Sequence, residues 1–77
     1  MSEAEKDTVR ARKAFDTIRD DRPATSASVL VTLEHTVALA LLHATGGDAR
    51  QAALLLNEGL APGVENRLAL YAKRVRT

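Results

Sequence analysis

The chain has 77 residues, 45% of them hydrophobic, which points to one small globular domain and excludes a disordered segment. It has no cysteine, so no disulfide can staple it, and Phe15 and Tyr71 are its only aromatic side chains, so no large ring anchors a core. Eleven basic and ten acidic residues leave a net charge of +1, a balance that neither demands a polyanionic partner nor excludes one.

Burial and chain ordering nearly cancel in chains this short. Oligomerisation is the common remedy, and a twofold homodimer is expected. Arginine is preferred over lysine and Ala and Leu dominate, a bias typical of GC-rich bacterial genes. Met1 leads into Ser-Glu-Ala-Glu-Lys-Asp, which has neither the charge pattern nor the apolar core of a signal peptide. The longest apolar stretch is interrupted by Glu34, His35, Thr36 and His43 and reads as too short to span a bilayer. The expected location is therefore cytoplasmic, without a membrane partner.

Residues 1–22 read as a charged, peripheral first helix. Ser2 and Glu5 have capping-box spacing. Ala4, Thr8, Ala11, Phe15 and Ile18 alternate steps of four and three and make one narrow apolar stripe. Arg12 and Asp16 form an i,i+4 pair on its charged side. Pro23 ends this helix, because it disfavours α geometry at Arg22 and cannot donate a hydrogen bond.

A central helix is expected over 28–45, capped by Ser26 or Ser28. It holds the run Val37-Ala38-Leu39-Ala40-Leu41-Leu42 with no Gly or Pro inside. At 100° per residue, Leu30, Leu33, Val37 and Leu41 fall on one line, and neighbouring apolar residues widen it past half the circumference. A helix so apolar is covered on several sides. Leu30, Leu33, Glu34, Val37 and Leu41 are therefore the expected dimer interface, with Glu34 the one charge on the apolar side. It either forms an ion pair between helices or subunits, or reaches water at the stripe's edge. The β-prone cluster Val29-Leu30-Val31-Thr32 leaves an exchanged strand as the alternative to a helix there.

Gly46-Gly47 stops the central helix, with Gly46 suited to a left-handed cap. Asp48 opens a third helix over 48–58 with capping-box spacing to Gln51, and Asn57-Glu58-Gly59 closes it. Leu60-Ala61-Pro62-Gly63 reads as a turn into a fourth helix over 62–76, whose apolar stripe is Val64, Leu68, Tyr71 and Val75. The expected fold class is all-α: a small four-helix domain dimerising through its central helix.

The segment Ala44 to Leu56, ATGGDARQAALLL, resembles the first half of a Fis-type helix-turn-helix. Gly47 and Asp48 match that family's break, Ala52 and Ala53 its small packing residues, and Leu56 its closing apolar position. Gly59-Leu60 supplies the turn if Asn57 and Glu58 are counted as two extra residues, so the resemblance spans 44–60. Beyond it, Pro62-Gly63-Val64-Glu65 stands where the family has a polar helix start. The resemblance implies a DNA-binding dimer whose last helix enters the major groove.

The candidate nucleic-acid contacts are Arg50, Arg67, Lys73, Arg74 and Arg76, since arginine offers phosphate a bidentate fork. The bland alternative is solvated charge near a helix end. His35 and His43 project about 80° apart on one helix and cannot readily hold one ion, so no metal is expected. Asp20-Asp21 sits before a proline with no pocket implied. No nucleophile–base–orienter set and no phosphate-cradling loop is present, so neither catalysis nor a cofactor is expected. The second expectation, from another class, is a protein-interaction module such as an adaptor, antitoxin-like or anti-activator subunit. It would use the apolar surface that the central helix leaves over.

Overall fold

A computed structural model describes residues 2–22 and 25–75, with the side chains of 74 and 75 outside the description. Every regular element among the described residues is helical: α1 (Glu3–Asp21), α2 (Ser26–Ala44), α3 (Ala49–Leu54), a π-helical segment (Leu55–Leu60) and α4 (Ala61–Val75). The chain divides into two units, Met1–Glu34 and His35–Thr77.

In the first unit, α1 starts as its sequence indicates. The Glu5 N–H donates to Ser2 Oγ at 3.2 Å, and the Ser2 hydroxyl in turn reaches Glu5 Oε1 at 3.2 Å. Its end is less usual. Arg22 caps it in the left-handed region, φ 51° and ψ 62°, with its N–H donating to the Arg19 carbonyl. Proline follows Arg22 in the sequence and disfavours right-handed α geometry there, so the helix does not continue through Arg22. Pro23 and Ala24, expected as stop and linker, lie outside the described residues. The Arg12–Asp16 pair does not form. Asp16 pairs with Arg19 at 3.2 Å, one helical turn in the other direction, while the Arg12 guanidinium lies 6.0 Å from the Phe15 ring centre. The Arg19 guanidinium lies 5.5 Å from the same ring centre, so two cations stand by one aromatic ring.

The cap of α2 is Thr25, one residue before Ser26 and three before Ser28, the two expected serines. Its Oγ1 accepts from the Ser28 N–H at 3.1 Å, and its carbonyl from the Val29 N–H at 3.2 Å. Thr-Ser-Ala-Ser offers three hydroxyl caps in a row, and the first lets the helix run longest. Val29–Thr32 is helical, so the strand alternative is not taken.

By length and composition α2 is apolar enough to cross a membrane, which corrects the expectation that it is too short. Nineteen residues at ~1.5 Å each reach ~28 Å, against a hydrocarbon thickness of ~30 Å. Its histidines and threonines interrupt the apolar run without lowering the average enough.

In the second unit, α2 ends on a two-glycine motif. Gly46 and Gly47 have φ of 65° and 89°. The Gly47 N–H donates to Leu42 O at 2.8 Å and the Gly46 N–H to His43 O at 3.3 Å, a Schellman pair that satisfies two orphan carbonyls. The Thr45 hydroxyl satisfies Leu41 O at 2.8 Å. Asp48 then caps α3, its Oδ1 accepting from Arg50 N at 3.0 Å and Gln51 N at 3.1 Å.

The four expected helices are three helical rods, because the break at Asn57-Glu58-Gly59 does not occur. From Ala49 to Val75 each residue is helical. Proline is the physical reason for the π segment. In regular α geometry the Pro62 ring would strike the carbonyl four residues back, that of Glu58, and Pro62 donates no hydrogen bond. Just upstream the ladder widens, and the Ala61 N–H reaches five residues back to Leu56 O. One wide turn thus accommodates Pro62 without ending the helix. Neither Gly59 nor Gly63 has positive φ, so neither acts as a stop.

Among the described residues Ala52 alone is buried, at 8% exposure.

Candidate association surfaces and cation positions

The small apolar residues Ala52 and Ala53 lie on α3, and Ala52 takes the single buried position. The large apolar side chains are elsewhere and open. On α2, Leu39 is 69% exposed and Leu30 60%. Of the expected dimer interface, Leu30, Leu33 and Glu34 are exposed, while Val37 and Leu41 are half-buried. Glu34 is in no ion pair among the described residues, so the pairing expectation is not met within the chain and the carboxylate faces solvent.

Two further apolar surfaces accompany α2. Within the first unit, Ala11, Ala14, Phe15 and Ile18 of α1 and Val29 and Leu33 of α2 line a groove whose walls are almost wholly apolar, with Arg19 at its rim. Alanines at 11 and 14 leave room for a close neighbour, and Phe15 is 50% exposed beside them. Within the second unit, Val64, Leu68 and Tyr71 form an open stripe along α4. The π segment adds Leu55, Leu56 and Leu60, exposed beside Leu54 of α3. Sequence reasoning places Leu56 on a buried face. Leu54, Leu55 and Leu56 are instead three successive open leucines.

The basic candidates Arg50, Arg67 and Lys73 are exposed, and among the described residues no carboxylate stands within ion-pair distance of them. The Arg74 side chain and all of Arg76 lie outside the described residues. A turn at Gly59-Leu60 would fold Arg50 back towards Arg67. The continuous helix separates them by seventeen residues, about 25 Å along its axis. Residues 57–60, which the resemblance reads as extra residues and turn, are helical here.

His35 and His43 are exposed, and among the described residues no group of three or more His, Asp or Glu is placed to hold a metal ion. No buried side-chain polar atom among the described residues lacks a partner, so no orphaned group marks a ligand site there. No family model, no curated protein and no solved structure matches the chain.

Proposed function

We propose that the chain is a helical interaction module that completes its hydrophobic core with helices of another chain and carries out no catalysis. The observation that supports this is the distribution of apolar surface. Fifteen large hydrophobic side chains are at least 36% exposed, while Ala52 is the only buried residue described. Soluble monomers rarely expose contiguous apolar patches larger than a few hundred Å². The face Leu30, Leu33, Glu34, Val37 and Leu41 of α2 is central to this association, as a dimer interface in the cytoplasm.

Protein is a better cover for α2 than lipid. Glu34 lies near the middle of the helix, where an acidic side chain in hydrocarbon would cost about 2.5–3.5 kcal/mol. At a protein interface it can sit at the edge or meet an arginine. The test is a hydrophobic-dye titration of the purified chain alongside its mass by light scattering. A self-associated chain with little dye binding, or a monomer that binds dye strongly until its partner is added, supports the module. A cooperatively folded monomer without dye binding rejects it.

A second reading, nucleic-acid binding, is favoured by the exposed cations Arg50, Arg67 and Lys73, none of them neutralised by a described carboxylate, with Arg74 and Arg76 continuing the series in sequence. It would use the assembled dimer, which presents each cation twice. Binding of a generic duplex at low salt, lost as salt rises, is its signature. No affinity at low salt ends it.

A further inference from the structure

The π turn does more than accommodate Pro62. We infer that it sets the phase of the helix, so that the apolar residues of α3 and α4 form one stripe in place of two. Its use rests on the interaction-module reading, in which a partner helix meets a single face along the rod.

The spacing is the first observation. Ala52, Leu56, Leu60, Val64 and Leu68 follow one another in steps of four, and Tyr71 adds a step of three. In a regular helix each step of four overshoots a full turn by about 40°. Four such steps in succession carry Leu68 about 160° from Ala52, nearly to the opposite side. A stripe on a regular helix mixes threes with fours, as α1 does with Ala4, Thr8, Ala11, Phe15 and Ile18. The residues from Ala52 to Leu68 therefore make no single stripe in regular geometry.

The second observation is the hydrogen bond that closes the wide turn. The Ala61 N–H reaches Leu56 O, five residues back in place of four. Such a turn holds one more residue than a regular one and sets back everything after it by about one residue's rotation, roughly 100°. The overshoot at Leu68 falls from about 160° to about 60°, and Tyr71 returns to the line of Ala52. Ala52, Leu56, Val64, Leu68 and Tyr71 then share an arc of about 60° over ~28 Å of helix. Leu54 and Leu70, 52% and 49% exposed, fall outside the arc. The wide turn lies between Leu56 and Val64, in the middle of the run of fours. Pro62 holds it there, because a return to regular geometry would drive its ring into the Glu58 carbonyl.

Geometry and use are tested separately in the full-length chain. Leu56→His with Ala61→His places two imidazoles five residues apart across the wide turn. There they lie on one side of the helix and should bind Ni²⁺; in a regular helix they project about 140° apart and should not. Arg67→His with Ala72→His has the same spacing inside α4 and should bind no more tightly than the unmodified chain. Equal nickel affinity for the two pairs would overturn the wide turn.

Pro62→Ala should release the turn. The 56–61 nickel site is then lost and the α4 half of the stripe swings about 100° from the α3 half. Self-association, read by sedimentation, should weaken by on the order of tenfold even as the helix itself gains stability. Deleting Glu58 from the same variant removes the extra residue, restores the phase on a regular helix and should restore association. A nickel site that survives Pro62→Ala would overturn the part assigned to proline. Association that persists after the site is lost, or that the deletion fails to restore in a chain still helical by circular dichroism, would overturn the phasing role. Leu56→Ser and Leu68→Ser should each weaken association by on the order of tenfold, and Leu54→Ser and Leu70→Ser should leave it nearly unchanged. Equal losses at all four would also overturn the single stripe. A cooperatively folded, dye-free monomer would end the interaction module and the stripe's use together, while the nickel pairs still decide the phase.

Discussion

Replacing Gly59 by alanine discriminates between a continuous helix and a turn at the same residues. In the structure Gly59 lies inside the π-helical segment, its φ is not positive, and a Cβ built there meets no atom within 4 Å. The substitution therefore adds no clash and no backbone strain, and it removes the conformational freedom that glycine keeps in the unfolded chain. A helical Gly→Ala change stabilises by about 0.8–1.0 kcal/mol. For a chain of this size that corresponds to a rise of roughly 4–8 °C in melting midpoint. The assay is thermal unfolding followed by far-ultraviolet circular dichroism, at one fixed protein concentration because the proposed self-association would couple to stability. Gly46→Ala is the internal contrast. Space is equally open there, but φ is +65°, so the side chain forces the left-handed region at a cost of about 1–2 kcal/mol. The expected result is opposite signs at the two glycines. Destabilisation at Gly59 as large as at Gly46 would refute the continuous helix and restore a turn at Gly59-Leu60.

Pro62→Ala should return a backbone donor and remove the ring, letting the π turn relax to regular α geometry with a gain of up to about 3 kcal/mol; unchanged stability, with unchanged amide shifts across Leu55–Leu60, would contradict proline as the cause. Asp48→Ala should cost about 0.5–2 kcal/mol in a denaturant titration, since its carboxylate receives both the Arg50 and Gln51 N–H groups, and Asp48→Ser should recover most of it. Arg22→Gly should stabilise by up to about 1–2 kcal/mol in the same titration, by removing a β-carbon from a left-handed residue. Joint replacement of Arg50, Arg67 and Lys73 by glutamine should lower any low-salt affinity for duplex DNA and flatten its salt dependence; unchanged affinity would remove these residues from the nucleic-acid reading.

The helical class was legible because the signals were local and redundant. Ser2 with Glu5, Asp48 with Gln51, and Gly46-Gly47 each mark a helix boundary through backbone groups a few residues away. The α2 cap was harder to read, because Thr25, Ser26 and Ser28 compete within one turn and only the bond to the Ser28 N–H decides. The Gly59–Gly63 stretch misled for a different reason. Glycine permits a turn without requiring one, and Pro62 breaks a helix only when the ladder cannot widen around it. That widening involves Leu56 and Ala61 together, and no residue type announces it. Arg12 found Phe15 rather than Asp16 because exposed ion pairs and cation–ring contacts have similar small energies. The apolar surfaces were legible as seams, and their exposure was not, since a periodic stripe reads the same whether its partner is the same chain or another.

The most direct test of the central claim is sedimentation of the unmodified chain over a wide concentration range, paired with its melting midpoint at each concentration. The account expects a mass of twice 8.3 kDa and a midpoint that rises with concentration, because folding and association are one transition. A single-chain mass with a cooperative, concentration-independent midpoint and no affinity for hydrophobic dye would mean that the exposed leucines are covered within the chain, and would contradict it.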